Sequence, residues 1–361
     1  MGDLKRVLIM AGGTGGHVFP GLAVAELFRQ QGVEVSWLGT QKGLEATLVP
    51  NAGFPLYFIS ISGIRGKRLT ALIASPFRLI LAIVQAIQLI HRIKPNIILG
   101  MGGFASGPGA IAGWLLRYPV IIHEQNAKPG TTNRWLAPVA KRVLEGFPNT
   151  FRSRRNVIVT GNPVRENITP ATPPKRGKNQ PLHLLVLGGS LGAVVLNELV
   201  PKALATIPSN HRPVVYHQTG KTHLACTIEQ YHSVGLSEEV VPFIEKMDQA
   251  YAWADVVLCR AGALTVAELC AAGVGAILVP YPFAIDDHQT ANANVMVKQG
   301  AARLVQQADL TVEKLADILL QFSQVPEQCQ TMAKAAYALR QMEAAKKVLM
   351  TCEEVFSELD V

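Results

Sequence analysis

A histidine beside a glycine-rich stretch is the first place in this sequence where chemistry is expected. His17 follows the run GGTGG at residues 12–16, and a histidine titrates near neutrality without large perturbation, which makes it the candidate general base. A structural role, in which His17 holds the loop through backbone hydrogen bonds, is the alternative interpretation. The glycines predict exposed backbone N–H groups at the N-terminus of a helix, where a phosphate or another anion binds well. A tight turn without a ligand is the alternative for the loop itself.

A second candidate site lies in the stretch CRAGALTVAE at residues 259–268. Gly262 and Ala263 let a ligand approach the backbone at a predicted helix N-terminus, which favours phosphate oxygens. Glu268 lies about two turns further on, between apolar neighbours, and its carboxylate can accept hydrogen bonds from two vicinal hydroxyls of a ribose. A solvated helix glutamate is the alternative interpretation of Glu268.

Polar residues also follow three other predicted strands. Asn126 ends the run HEQN, Arg165 ends GNPVR and is suited to a diphosphate or a polar clamp, and Gln289 lies in DDHQTANA, where its amide suits a sugar. Capping of the next helix is the alternative for Asn126. Asp287 and His288 offer metal ligands, but no DxD pair or second histidine supports a metal site.

The elements that position these residues follow an αβ plan that occurs twice. An apolar strand at residues 7–11 precedes the first loop, and the strand 184–187 with GGSLG repeats that plan 176 residues later. Two similar αβ halves facing one another are therefore predicted. The first loop lacks the third glycine of the dinucleotide pattern, and no acid follows the strand-like residues 33–38 until Glu45, so a nicotinamide enzyme is disfavoured.

Length and composition fit two ordinary domains. The chain has 361 residues, of which 49% are hydrophobic. The five cysteines are odd in number and include no CxxC pair, which favours a reducing compartment and disfavours structural zinc or a disulfide framework. A Pro- and Lys-rich stretch at residues 169–181 marks a linker. We predict a first domain at residues 1–165, a linker at 166–181 and a second domain at 182–361.

Positive charge is concentrated in the first half. Residues 1–165 hold 19 Lys and Arg against 6 Asp and Glu, a net charge of +13, and residues 46–123 contain no acid. Basic and aliphatic residues are interleaved there without clustered aromatics, which indicates an anionic lipid surface and disfavours nucleic acid, despite the pI of about 9.3. The alternative is that residues 79–90 pack on a sheet. The longest apolar stretch is broken by Arg78, Gln85 and Gln88 and is too short to span a bilayer. The predicted membrane patch comprises Arg65, Lys67, Arg68, Ile73, Phe77, Arg78 and Leu81, with Trp114, Arg117, Lys141 and Arg142 as neighbours that could join it.

Seven motifs, in this order and over nearly the whole chain, resemble the bacterial MurG glycosyltransferases: GGTGGHVFP, GMGGFASGP, HEQN, GNPVR, GGSLGA, CRAGALTVAE and DDHQTANA. The resemblance implies the α/β GT-B fold, with two Rossmann-like doubly wound domains facing a cleft. It places the acceptor and the membrane on the first domain and the UDP-sugar on the second. Family members often carry glutamine at position 191 and serine at 267, where this chain has Leu191 and Ala267.

The same resemblance implies an inverting, metal-independent transfer of N-acetylglucosamine from UDP-N-acetylglucosamine (UDP-GlcNAc). The acceptor is the 4-hydroxyl of undecaprenyl-diphospho-N-acetylmuramoyl pentapeptide (lipid I), and the product is lipid II of peptidoglycan synthesis. No cofactor is implied. The expected location is peripheral, on the cytoplasmic face of the bacterial inner membrane. Other cell-wall synthesis or division proteins are candidate partners.

Two other functions remain as alternatives. A UDP-sugar epimerase of the same fold needs no lipid, so the acid-free basic stretch counts against it. The second alternative is a non-catalytic protein that binds the membrane surface. The presence of both Glu268 and Gln289 counts against this alternative.

Residue roles follow from the resemblance motif by motif. Glu268 matches the residue that binds the uridine ribose, and Ile244 matches the residue whose backbone reads uracil. Gln289 and Asn126 match residues that address the hydroxyls of N-acetylglucosamine. The first domain lines the cleft with Thr14, Gly15, Gly16 and Arg165. The diphosphate and sugar contacts match Ser190, Ala263, Leu264, Thr265, Val266 and Ala267.

Overall fold

The structure, a computed structural model, describes residues 4–61, 75–151, 156–169, 180–189 and 192–359. The chain forms two compact units. Unit 1 comprises Met1–Arg165 and Gln341–Val361, and unit 2 comprises Glu166–Arg340. Each unit is built on its own parallel sheet, as the repeated αβ plan predicts.

The described residues of unit 1 form a seven-stranded parallel sheet in the order β3-β2-β1-β4-β5-β6-β7. Its strands are almost continuously apolar because helices cover a parallel sheet on both faces. The strands are β1 (Arg6–Ala11), β2 (Glu34–Gly39), β3 (Leu56–Phe58), β4 (Ile97–Gly102), β5 (Val120–Glu124), β6 (Arg142–Glu145) and β7 (Val157–Val159). The described helices of this part are α1 (Gly15–Gln30), α2 (Glu45–Asn51), α3 (Ser75–Ile93), α4 (Ser106–Leu115) and α5 (Thr131–Leu136).

The strand order of unit 1 reverses between β1 and β4. The chain leaves β1 toward β2 on one side and enters β4 on the other side, so the loops that follow these two strands diverge. Such a switch point opens a crevice at the carboxyl edge of the sheet, where α/β proteins bind ligands. Both loops are glycine-rich, and the first one carries the GGTGG run.

Unit 2 repeats this design, and the part of it that the structure describes has six parallel strands in the order β10-β9-β8-β11-β12-β13. Its switch point lies between β8 and β11, which precede the loops GGSLG and RAG. The strands are β8 (His183–Leu187), β9 (Val214–Gln218), β10 (Glu239–Val241), β11 (Val256–Cys259), β12 (Gly275–Leu278) and β13 (Ala302–Leu304). The helices are α6 (Val194–Thr206), α7 (Leu224–Ser233), α8 (Met247–Trp253), α9 (Ala263–Ala272), α10 (His288–Val297), α11 (Val312–Gln324) and α12 (Glu327–Ala338).

The C-terminal helix α13 (Ala344–Ser357) belongs to unit 1 and packs against α1. This differs from the sequence-based division, which assigned residues 341–361 to the second domain. The physical reason is burial: Val348, Leu349 and Val355 complete the core formed by β1, β2 and α1. Of the predicted linker at 166–181, residues 170–179 lie outside the described residues.

Candidate functional site

The first glycine loop of unit 1 is held by a buried carboxylate. Glu45, at the start of α2, accepts hydrogen bonds from the Gly13 N–H at 2.9 Å, from the Thr40 N–H at 2.8 Å and from the Thr40 hydroxyl at 2.7 Å. Because Gly12 has no Cβ, the glutamate side chain fits directly against the loop. The loop between β1 and α1 is therefore fixed to the neighbouring β2–α2 connection.

His17 lies in the first turn of α1 and is half-buried. Its ring occupies the space beside Gly102, where an added Cβ would come within 2.5 Å of Nδ1. Gly102 also has a φ of +102°, which few other residues adopt. The second glycine-rich turn thus gives His17 its position at the switch point.

His17 is joined to a buried polar chain behind it. The Nδ1 atom lies 2.9 Å from Oε1 of Gln125, and Nε2 of Gln125 lies 2.8 Å from the Met101 carbonyl and 3.1 Å from Nδ1 of His123. Nε2 of His123 lies 2.9 Å from the Gly161 carbonyl. Burial lowers the pKa of His123 to about 4, so this second ring is neutral at physiological pH.

Asn126 is held by the glutamate that precedes it in HEQN. Oε1 of Glu124 accepts from the backbone and side-chain N–H groups of Asn126, each at 3.0 Å. Oε2 of Glu124 accepts from the Gly130 N–H and from Asn133, each at 2.9 Å. Gly130 is the N-cap of α5 and Asn126 is not, so the capping alternative is wrong. The Glu124 carboxylate positions the loop that carries Asn126.

Arg165, the end of GNPVR, lies at the same edge of unit 1. Its guanidinium carbon is 5.4 Å from the centre of the Phe19 ring on α1, a cation–π distance. Phe19 is two residues after His17. The structure therefore brings Arg165 near the helix that carries Thr14, Gly15, Gly16 and His17 at its start.

In unit 2, helix α9 begins directly after the RAG loop, and the buried carboxylate of Glu268 lies in its second turn. Oε2 of Glu268 accepts a hydrogen bond from the Tyr251 hydroxyl at 3.0 Å. Val266 is fully buried, so neither its side chain nor its backbone is exposed in this structure. Asn292 of α10 donates to the Ala261 carbonyl at 3.1 Å and holds the loop before the helix.

Gln218, at the end of β9, connects two predicted donor-binding positions. Its Nε2 donates to the Gly189 carbonyl at 3.0 Å, and its Oε1 accepts from the Ile244 N–H at 3.0 Å. A base that reads the Ile244 N–H therefore has to displace the Gln218 oxygen. Ser190 and Leu191, next to Gly189, lie outside the described residues.

Gln289 lies in the first turn of α10, after an unusual backbone segment. Its Oε1 accepts from the Tyr281 N–H at 2.8 Å, which fixes the loop after β12. Asp286 and Asp287 both have positive φ angles, 53° and 52°. Two successive non-glycine residues in this region store strain, a feature found at ligand-binding loops.

Family models match both halves of the chain. The glycosyltransferase family 28 N-terminal domain matches residues 7–145, and the family 28 C-terminal domain matches residues 183–349. A crystal structure of MurG from Acinetobacter baumannii has a TM-score of 0.82 to this structure, with 40% identity, 97% of this chain and 99% of that chain covered. The chain belongs to the MurG family of glycosyltransferases. The predicted GT-B fold class is confirmed by these matches and by the two parallel-sheet units.

A curated relative of this MurG-family chain comes from Nitrosococcus oceani. It is 52% identical over 355 residues, which cover 98% of this chain and 99% of the relative. Its name is UDP-N-acetylglucosamine–N-acetylmuramyl-(pentapeptide) pyrophosphoryl-undecaprenol N-acetylglucosamine transferase. A putative UDP-N-acetylglucosamine 2-epimerase from Listeria monocytogenes has a TM-score of 0.68 over the whole of this chain and 98% of its own, but only 13% identity, so that likeness concerns the fold alone.

The membrane-patch residues of this MurG-family chain are only partly described. Phe77, Arg78 and Leu81 lie on α3 and are exposed. Lys141 and Arg142, the neighbours suggested for the patch, both pair with Glu358 just beyond α13, which offsets part of their charge. Outside the described residues lie Arg65, Lys67, Arg68 and Ile73.

Sequence reasoning missed four buried side chains that hold the MurG-family loops. Gln125 lies inside the motif HEQN, next to the candidate Asn126, and Gln218 directly follows the predicted strand at residues 214–217, so both positions carry a usable signal. Glu45 was noted only as the first acid after β2. These residues make backbone hydrogen bonds that no local pattern reveals. The four are Glu45, Gln125, Gln218 and Asn292.

Proposed function

We propose that this chain transfers N-acetylglucosamine from UDP-GlcNAc to the 4-hydroxyl of the muramoyl sugar of lipid I, which yields lipid II. The observation that carries the proposal is the 52% identical relative, matched over nearly its full length, whose name states this donor sugar, this acceptor and this reaction. Both family 28 domains are present, the N-terminal domain first and the C-terminal domain second. The loop geometry of each unit supplies the chemistry.

Unit 2 binds the donor. The carboxylate of Glu268 accepts from the ribose hydroxyls, and the first turn of α9 and the loop at Gly189 place N–H groups against the diphosphate. Before the donor binds, Gln218 bridges the Ile244 N–H and the Gly189 carbonyl, which sets the spacing between the positions proposed for uracil and for the diphosphate. Gln289 addresses the hydroxyls of the sugar.

Unit 1 binds the acceptor and carries the base. His17 removes the proton of the muramoyl 4-hydroxyl, and the resulting oxygen attacks the anomeric carbon of the α-linked donor. The bond from that carbon to the diphosphate breaks in the same step, UDP leaves with the electron pair, and the new linkage is β. Thr14, Gly15, Gly16 and Arg165 hold the acceptor, while Asn126 orients the transferred sugar.

The transfer needs no metal ion in this proposal. The negative charge that develops on UDP is stabilised by the N-terminus of α9 and by loop N–H groups, which are preorganised donors. In the described part of the chain, no three His, Cys, Asp or Glu side chains lie close enough together to bind a metal. Nor does the reaction need an organic cofactor.

An assay with and without acceptor tests this function against the epimerase alternative. We expect radiolabelled N-acetylglucosamine to move from UDP to a short-chain lipid I analogue, with no change in the UDP-sugar when the acceptor is omitted. A UDP-sugar with an inverted ring carbon in the acceptor-free sample, with no labelled lipid in the other, would contradict the proposal.

Unit 1 acts at a membrane surface. Helix α3 buries small and aliphatic residues such as Ala82, Ala86 and Ile90, whereas its opposite face is apolar and exposed. By length and composition, residues 76–93 also pass as a membrane-span candidate, with only 17% of that window buried. An apolar face with basic residues around it binds anionic lipid without spanning the bilayer. We therefore propose a peripheral enzyme on the cytoplasmic face of the bacterial inner membrane. The exposed apolar residues of α3 are Phe77, Leu79, Ile80, Leu81 and Val84.

The double substitution Phe77→Glu and Leu81→Glu is expected to weaken binding to phosphatidylglycerol vesicles at least about ten-fold. The reason is that each apolar side chain that moves from water into the lipid contributes about 1.5–3 kcal/mol to the binding free energy. Charge reversal at Arg65, Lys67 and Arg68 is expected to weaken it as well, mainly at low salt. Vesicle co-sedimentation measures both effects. Phe283→Glu is the control, since Phe283 is 79% exposed, similar to Phe77 at 74%, and lies in unit 2. Unchanged vesicle binding by the double variant would refute a membrane role for α3.

A further inference from the structure

The hydrogen-bonded chain behind His17 determines which nitrogen of that ring carries a proton. It passes from His17 through Gln125 to the Met101 carbonyl and to His123, and it ends at the Gly161 carbonyl. Gln125 and His123 are both buried. Buried groups of this kind have few alternative partners, so the orientation of each one constrains the next.

The two backbone carbonyls fix the orientation of both side chains, because a carbonyl oxygen can only accept. The Gln125 atom 2.8 Å from the Met101 oxygen must therefore be the amide nitrogen, which places Oε1 toward His17. The His123 nitrogen beside the Gly161 oxygen must carry its proton. The other nitrogen of His123 then accepts from the Gln125 amide at 3.1 Å, which agrees with the same orientation.

The constraint continues to the ring of His17. Oε1 of Gln125 has no proton to give, so Nδ1 of His17 must donate across the 2.9 Å contact. A neutral His17 then keeps its lone pair on Nε2, the nitrogen on the other side of the ring. We infer that Gln125 is a positioning residue that holds His17 in the Nδ1–H tautomer, so that Nε2 is the basic atom. This inference rests on the proposed function of His17 as general base.

A neutral amide suits this task. Like the carboxylate of other base-orienting pairs, it fixes the tautomer and the ring plane, but it adds no negative charge beside the imidazole. His123 and Met101 give the amide two acceptors, so rotation of the Gln125 side chain would break three hydrogen bonds at once. The backbone of Gln125 is held as well, since its carbonyl accepts from Asn162 at 3.0 Å.

The test is the substitution Gln125→Met, which keeps the side-chain length and removes both polar atoms. In wild-type protein labelled with ¹⁵N-histidine, we expect the His17 resonances to show a protonated Nδ1 and an unprotonated Nε2. In the variant we expect the population of the Nε2–H tautomer of His17 to increase. We also expect kcat to fall by about 10- to 100-fold, while KM for UDP-GlcNAc changes less than about two-fold. Resonances of His17 are assigned with His17→Gln.

Two further variants separate positioning from stability. Gln125→Glu, with its carboxyl protonated, donates to the Met101 carbonyl and restores an acceptor for the His17 Nδ1–H. It is therefore expected to recover the Nδ1–H signature, and it serves if Gln125→Met does not fold. Asn96→Leu is the matched control: Asn96 also uses an amide to bind the sheet, accepting from the Lys5 and Arg6 N–H groups, but at the amino ends of the strands. It is expected to lower the melting temperature and leave the His17 resonances unchanged.

The outcomes distinguish this inference from the proposed function. An Nε2–H signature for His17 in the wild type, or an unchanged kcat for a folded Gln125→Met variant, would overturn the positioning role while transfer by the wild type stands. Absence of transfer by the wild type would overturn the proposed function, and the tautomer measurement would still report the geometry.

Discussion

The substitution His17→Ala is expected to lower kcat for N-acetylglucosamine transfer by about 10²- to 10⁴-fold, the usual contribution of a positioned general base. The reason is that the ring projects from the first turn of α1 at the switch point, with Nδ1 bound to Gln125 and Nε2 left as the basic atom. KM for UDP-GlcNAc is expected to change little, because the proposed donor contacts lie in unit 2, apart from Asn126, and His17 is not among them. Steady-state kinetics with a lipid I analogue measures both constants.

His232→Ala provides the comparison for this experiment. His232 is an exposed histidine on α7 of unit 2, outside the proposed site, and its removal is expected to leave both constants unchanged. A kcat for His17→Ala within about three-fold of the wild-type value would contradict the role of base, because a positioned base typically contributes at least about 100-fold. A large rise in KM for the donor with an unchanged kcat would instead indicate that His17 acts in binding.

The substitution Glu268→Ala is expected to weaken UDP binding by at least about 10- to 100-fold, because hydrogen bonds to a charged group contribute about 1.5–3 kcal/mol each. The carboxylate is buried in the second turn of α9 and is oriented by the Tyr251 hydroxyl. Isothermal titration calorimetry with UDP gives the affinity. The melting temperature, measured without ligand, shows whether the unit remains folded.

Tyr251→Phe is the control that separates the two roles open to Glu268. This substitution breaks the same 3.0 Å hydrogen bond but leaves the carboxylate in place. If the carboxylate binds the ribose, Tyr251→Phe is expected to cost less than about five-fold in UDP affinity, since the hydrogen bond it removes orients the carboxylate and is not itself one of the proposed bonds to the ribose. An equal loss of affinity in both variants would indicate that Glu268 only supports the packing of α8 against α9.

The repeated αβ plan could be predicted because its signal is local. Short apolar runs, each followed closely by glycine, indicate β1, β8 and β11 from the amino-acid sequence alone. The short strands β3, β6 and β13 were not predicted. They have few residues and no glycine-rich loop after them, so their sequences are hard to distinguish from those of loops. The C-terminal helix α13 was placed in the wrong domain because helical spacing shows that a face is buried but does not show which core it joins.

For the candidate site, too, the sequence indicates which residues take part. Glycine runs and polar residues after strands selected His17, Asn126 and Glu268, since the topology of parallel sheets places such residues at one edge. What the sequence could not show is how these residues are held. The bonds from Glu45 to Gly13 and from Gln218 to Ile244 join segments 32 and 26 residues apart and depend on tertiary packing.

Transfer of radiolabelled N-acetylglucosamine from UDP-GlcNAc to a short-chain lipid I analogue, in excess EDTA and with the anomeric configuration of the product read by NMR, tests the central claim most directly. A single displacement stabilised by N–H groups predicts a β-linked product formed at the same rate with and without EDTA. Loss of transfer on chelation, restored by a divalent cation, or an α-linked product would contradict it.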